Sequence, residues 1–147
     1  MKPIYRFFIS FFYIGYISNC PGSLASMVAL IIFFYIPNIL MIQFIILFVM
    51  ILLGFFVCYD YSKNHSIKDP SFIVIDEVSG MFLSLFMLPK SLYLYALAYI
   101  LFRFFDIYKP GIINYSQSWN RGIGIMMDDL LSGLITVIII WGIYLCL

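Results

Sequence analysis

Asp76 and Glu77 lie inside the apolar segment 72–88, Asp106 closes the segment that begins at residue 92, and Asp128 and Asp129 stand at the entrance of the uncharged run 130–147. The other two acidic residues, Asp60 and Asp69, fall in plainly polar sequence. A carboxylate near the middle of an inserted helix costs about 2.5–3.5 kcal/mol, so several together must be neutralised. The chain offers Arg103, Lys109 and Arg121 as counter-charges. The alternative is a divalent cation, since carboxylate oxygens suit magnesium, which is often held by one or two carboxylates together with a substrate phosphate. Arg103, Asp106 and Lys109 recur every third residue and so share one side of a helix in the order plus, minus, plus. This is either a chain of ion pairs orienting a helix end, or a metal-holding carboxylate between cations that grip phosphate oxygens. Asp128 and Asp129 either cap the last helix, where negative charge is favourable, or share a cation or proton that relieves their repulsion. Gly122 and Gly124 just upstream allow backbone to approach a ligand closely.

The elements that must position these groups are helices in apolar surroundings. Apolar residues make up 65% of the 147, charged residues only 10%, and the mean hydropathy is +1.08, far from soluble domains. Residues 39–57, with Gln43 as the only strongly polar side chain, form one expected span, and residues 130–147 a second. Segments 72–88 and 92–105 are apolar enough to enter a bilayer but carry Asp76, Glu77 and Arg103, while 24–36 is short. Lys2 and Arg6 precede an apolar stretch, 7–17, with no small-residue cleavage site after it, which predicts a retained amphipathic or interfacial helix. Pro21-Gly22, Pro37-Asn38, Pro89 and Pro110-Gly111 break the chain, residues 60–71 read as the main polar loop, and 114–124 as a second. No repeat or linker divides residues 1–147. The expected fold is all-α: a single-domain, compact integral membrane bundle of about four to five hydrophobic helices plus the N-terminal helix.

A formal charge of +1 without a basic run excludes a nucleic-acid partner. Cys20, Cys58 and Cys146 are odd in number and lack metal-ligand spacing, so they predict neither a disulfide framework nor a zinc site.

Four blocks occur in order: Cys20-Pro21-Gly22-Ser23-Leu24-Ala25-Ser26; Lys68-Asp69-Pro70 followed by Val74-Ile75-Asp76-Glu77-Val78-Ser79-Gly80; the stretch 102–110 with Arg103, Asp106, Lys109 and Pro110; and Arg121-Gly122-Ile123-Gly124-Ile125-Met126-Met127-Asp128-Asp129-Leu130-Leu131-Ser132-Gly133. Together they resemble the phosphatidylglycerophosphatase A family. The resemblance implies an all-helical, multi-pass enzyme of the bacterial inner (cytoplasmic) membrane. It implies a requirement for Mg2+ and removal of the terminal phosphate of the phospholipid phosphatidylglycerophosphate to leave phosphatidylglycerol. Carried across position by position, it implies catalytic and metal-holding roles for Asp76, Glu77, Asp106, Asp128 and Asp129, and phosphate binding by Arg103, Lys109 and Arg121. The chain departs from the family pattern at Ser23, where threonine is usual, at Ala25, where a second glycine is usual, and at Arg121-Gly122, where two glycines are common.

Other phosphatase chemistries lack their residues. Six positions after Cys20 comes Ser26 and six after Cys58 comes Asn64, so no Cys-x5-Arg nucleophile exists; His65 is the only histidine; and no Asp-x-Asp occurs. What remains is metal-assisted hydrolysis of a phosphate ester by attacking water, or a direct aspartate nucleophile. The competing reading is a small transporter or channel subunit, with intramembrane carboxylates as a proton or cation path. That reading requires carboxylates spread through the membrane depth, whereas hydrolysis at a head group requires them to converge.

Overall fold

Proline and left-handed residues set the helix boundaries in the computed structural model, which describes residues 3–65, 70–119 and 122–146. These residues form seven α-helices and no strand: α1 (Pro3–Ile9), α2 (Pro21–Tyr35), α3 (Leu40–Asn64), α4 (Ile75–Leu85), α5 (Leu92–Tyr108), α6 (Ile112–Ser116) and α7 (Ile123–Cys146). Pro21 opens α2, where its fixed φ suits the first turn and its missing N–H costs nothing. Lys109 ends α5 in the left-handed conformation (φ 46°), its amide donating to the Phe105 carbonyl at 2.8 Å, and Pro110 then prevents the helix from continuing.

Two helices, α3 and α7, are long and apolar enough to cross a membrane. The 25 residues of α3 reach about 37 Å at roughly 1.5 Å per residue, more than a hydrocarbon core of about 30 Å. Phe44, Phe48, Leu52 and Phe56 along α3 are each more than half exposed. An apolar helix face of this size suits a lipid-like solvent and not water.

Segment 72–88, expected to enter the bilayer, contains a helix of only eleven residues. That is too short to cross, and it is enclosed by protein instead: nine of the eleven are buried, against α2, α3, α5 and α7. Phe33 packs edge-on against Phe82 at 5.3 Å between ring centroids, with Tyr95 behind it at 6.4 Å. In apolar surroundings, close packing has to hold such a helix, because lipid tails are as apolar as leucine. The closest approach is to α7. A Cβ on Gly80 would stand 2.6 Å from the Asp129 carbonyl oxygen, and one on Gly133 would collide with the Gly80 carbonyl. Glycine is required wherever two helix backbones touch in this way.

Three boundaries differ from those read in the sequence. The helix expected over 7–17 stops at Ile9, because Phe11, Phe12 and Tyr13 take left-handed φ values of 42°, 58° and 66°. The chain then turns through a 3-10 element, Ile14–Tyr16, and the Ile9 carbonyl accepts the Val74 amide at 3.1 Å, tying this segment to the start of α4. The loop expected from residue 60 begins later, since α3 runs on to Asn64, whose amide side chain donates to the Asp60 carbonyl at 2.8 Å. Finally, α7 starts at Ile123, behind Gly122 with φ 74°, so Asp128 and Asp129 lie within the helix and not at its cap.

Candidate active site

Asp76 and Glu77 occupy the first turn of α4, where the helix dipole favours negative charge. The Asp76 Oδ1 accepts the Glu77 amide at 3.0 Å. Because α4 and α7 touch at Gly80, and Asp76 and Gly80 are one turn apart on the same face, Asp129 of α7 comes against the start of α4. One carboxylate oxygen from each of Asp76, Glu77 and Asp129 lies within 4.8 Å of the others. Asp76 and Asp129 are buried, and the Glu77 Oε2 and Asp129 Oδ1 atoms have no hydrogen-bond partner. Buried acceptors left unpaired are expensive.

Four further charged residues, Arg103, Asp106, Lys109 and Asp128, form a chain beside this cluster. Arg103 pairs with Asp106 one turn along α5. Lys109 Nζ lies 3.8 Å from Asp106 and donates to Asp128 of α7 at 2.5 Å, linking the two helices. Gln117, just past α6, donates its Nε2 to the same Asp128 oxygen at 2.9 Å. The chain joins the cluster at α2, where a Cβ on Gly22 would collide with Glu77 Oε1 and stand 3.2 Å from Arg103 Nη1. Tyr99 of α5 fixes that junction by donating its hydroxyl to the Ser23 carbonyl at 3.2 Å.

Electrostatics follow from this crowding. Burial pushes the Glu77 carboxyl up to about 7, the Asp106 charge adds to the rise, and a hydrogen bond from Asp76 and the Arg103 charge oppose it. Burial works against the charged form of Lys109, but Asp128, Asp129 and Asp106 outweigh it and hold the ammonium above its ordinary value.

All five carboxylates read from the sequence therefore gather in one region, in two kinds of surroundings. Asp76, Glu77 and Asp129 form a compact acidic triad, while Asp106 and Asp128 are held in ion pairs with Arg103 and Lys109. Arg121, the third expected phosphate ligand, lies outside the described residues. Gln117 went unread because it sits in polar sequence that looks like any loop, and only the return of α7 gives it a carboxylate to hold. His65 is stacked on Tyr61, with ring centroids 4.4 Å apart. Cys20, Cys58 and Cys146 form no disulfide with one another among the described residues.

The donor set fits a hard divalent ion. Three carboxylates offer oxygens alone, two of those oxygens lack other partners, and oxygens around one magnesium at 2.0–2.1 Å stand roughly 3–4 Å apart.

Comparison with known proteins identifies the family. The chain matches the family described as phosphatidylglycerophosphatase A over residues 7–144. It is 33% identical over 133 residues to the phosphatidylglycerophosphatase A of Haemophilus influenzae, covering 88% of this chain and 82% of that protein. With the phosphatidylglycerophosphatase A of Escherichia coli strain K12 it shares 34% identity over 125 residues, 82% of this chain and 72% of that one. No solved structure matches the chain. The helical fold and acidic site thus belong to an enzyme, a membrane-associated phosphoric monoester hydrolase. The chain belongs to the phosphatidylglycerophosphatase A family.

Proposed function

We propose that this chain hydrolyses the terminal phosphomonoester of phosphatidylglycerophosphate to phosphatidylglycerol and phosphate, using Mg2+ held by Asp76, Glu77 and Asp129. The observation that carries the reading is the convergence of these three carboxylates from two helices within 4.8 Å, with one oxygen each of Glu77 and Asp129 left unpaired, beside Arg103 and Lys109. The same convergence disfavours a transporter, whose carboxylates would be spread along a path.

Magnesium bound there would supply charge neutralisation for the phosphoryl group and a more acidic water. Arg103 and Lys109 bind the phosphoryl oxygens, and Asp106 and Asp128 hold these two cations in position through the ion pairs described above. A carboxylate of this region that the metal does not engage would accept the proton of the attacking water. As the new oxygen–phosphorus bond forms, the bond to the glycerol oxygen breaks, and the leaving oxygen takes up the proton that the attacking water gave to the carboxylate. The protein works as a compact, multi-pass bundle in a bacterial inner membrane, with the lipid tails in the bilayer and the head group at a polar notch among α2, α4, α5 and α7. The apolar faces of α3 and α7 support that setting.

Phosphate release from phosphatidylglycerophosphate by purified protein in detergent, with and without magnesium, tests the proposal. Magnesium-dependent release that Asp129→Asn and Arg103→Ala both abolish is the expected result. No release by the wild type, under conditions where another lipid phosphatase is active, would reject it.

A further inference from the structure

The outward face of α5 joins the site to an apolar trough. Ile100, Phe104, Ile107 and Tyr108 recur at i, i+4, i+7 and i+8, each more than half exposed, and with Arg103 they line a groove of about 440 Å³. All five residues lie on α5, so the groove is shallow and open along its length. The stripe runs about 12 Å along the helix at roughly 1.5 Å per residue. Arg103 belongs to both regions: it walls the groove, and its guanidinium pairs with Asp106 and faces Gly22 at the acidic triad. The broad apolar face of α3, from Phe44 to Phe56, carries no charged residue, so apolar exposure alone does not bring a cation with it.

We infer that this groove seats an acyl chain of the phospholipid substrate, so that the lipid approaches sideways along α5 with its phosphate end at Arg103. The inference rests on the phosphatase reading and adds the path by which the substrate reaches the site. Charge complementarity selects the occupant. An amphiphile with an anionic phosphate at one end and hydrocarbon at the other matches a cation continuous with an apolar stripe, whereas the same stripe on a second copy of the chain offers Arg103 only a like charge.

The test compares hydrolysis of long-chain phosphatidylglycerophosphate with that of its deacylated, water-soluble head-group analogue, in wild type, Ile100→Trp, Phe104→Trp and the control Leu52→Trp on α3. The tryptophans fill the groove while keeping the helix apolar. The ratio of kcat/KM for the lipid to that for the analogue should fall by about tenfold in the two α5 variants, the effect of losing burial of about two methylenes, and should hold in Leu52→Trp. A wild-type experiment accompanies it: a substrate carrying a diazirine on its acyl chain should label residues 100–108, and excess unlabelled lipid should suppress the labelling. If the wild type hydrolyses lipid but the ratio moves no more in the α5 variants than in Leu52→Trp, or if label spreads equally over α3, the groove assignment is overturned and the phosphatase reading stands. A change in oligomeric state in the α5 variants with an unchanged ratio would overturn it in favour of a second copy. If the wild type hydrolyses neither substrate, both fall together.

Discussion

The carbonyl oxygen of Asp129 lies 2.6 Å from the position a Cβ on Gly80 would occupy, so the acidic triad depends on a missing methyl group. Asp76 stands one turn before Gly80, and α4 and α7 come together only as closely as that glycine allows. Gly80→Ala should push the helices apart at a cost of about 1–3 kcal/mol. Because a misplacement of about 1 Å can cost on the order of a hundredfold in rate, phosphatase activity should fall by at least that factor while the helical circular dichroism is retained. Retained activity would show that the site tolerates a wider crossing.

Asp129→Asn should move activity and stability in opposite directions. The variant should be inactive, having lost one of three carboxylates. In chelator, however, removing a buried charge from among like charges relieves repulsion, and the melting temperature should rise by about 2–4 °C, the shift on the order of 1 kcal/mol produces in a chain of this size. Thermal scans in detergent with chelator would decide the sign.

Glu77 is raised to about 7 by burial, so below that pH it is mostly protonated, and a metal must displace the proton. Apparent magnesium affinity should therefore strengthen as pH rises toward about 7, by up to about tenfold per unit for this one proton, and level off above it. Metal titrations from pH 5.5 to 8.5 would reveal the slope, and Glu77→Gln should flatten it. A slope unchanged in the variant would place the linked proton elsewhere.

Lys109 is the only described cation that bridges α5 and α7, through Asp106 and Asp128. Lys109→Met leaves both carboxylates facing each other without it, and breaking buried pairs of this kind costs about 3–5 kcal/mol. Stability in detergent should drop accordingly, with activity lost. Gln117→Ala removes one exposed donor to Asp128 and should cost no more than about 1 kcal/mol. Denaturant titrations of the two variants would separate these effects.

The gathering of the acidic residues was more legible in the sequence than the architecture. Carboxylates stranded in apolar sequence announce themselves because insertion makes them costly, and all five do gather around one region. The two long helices were likewise readable from unbroken hydropathy. Hydropathy cannot tell lipid from protein as the apolar neighbour, and so α4, enclosed on all sides, looked like a membrane segment. Nor does it register left-handed turns at aromatic residues such as Phe11 to Tyr13. Asp128 and Asp129 gave the most instructive contrast. Adjacent in sequence, they were read as a pair that either caps the last helix or shares a cation or proton, but successive helical residues point about 100° apart. Asp129 accordingly joins Asp76 and Glu77, while Asp128 turns to Lys109 and Gln117.

The triad takes two members from α4 and its third from α7, two helices separated by α5 and α6 along the chain. During synthesis, a ribosome that has delivered the first six helices has made both acidic residues of α4, Arg103 and Lys109, yet nothing to complete the cluster. The cluster therefore closes late and all at once, when α7 docks, and a stalled or truncated chain is left with two of its three carboxylates.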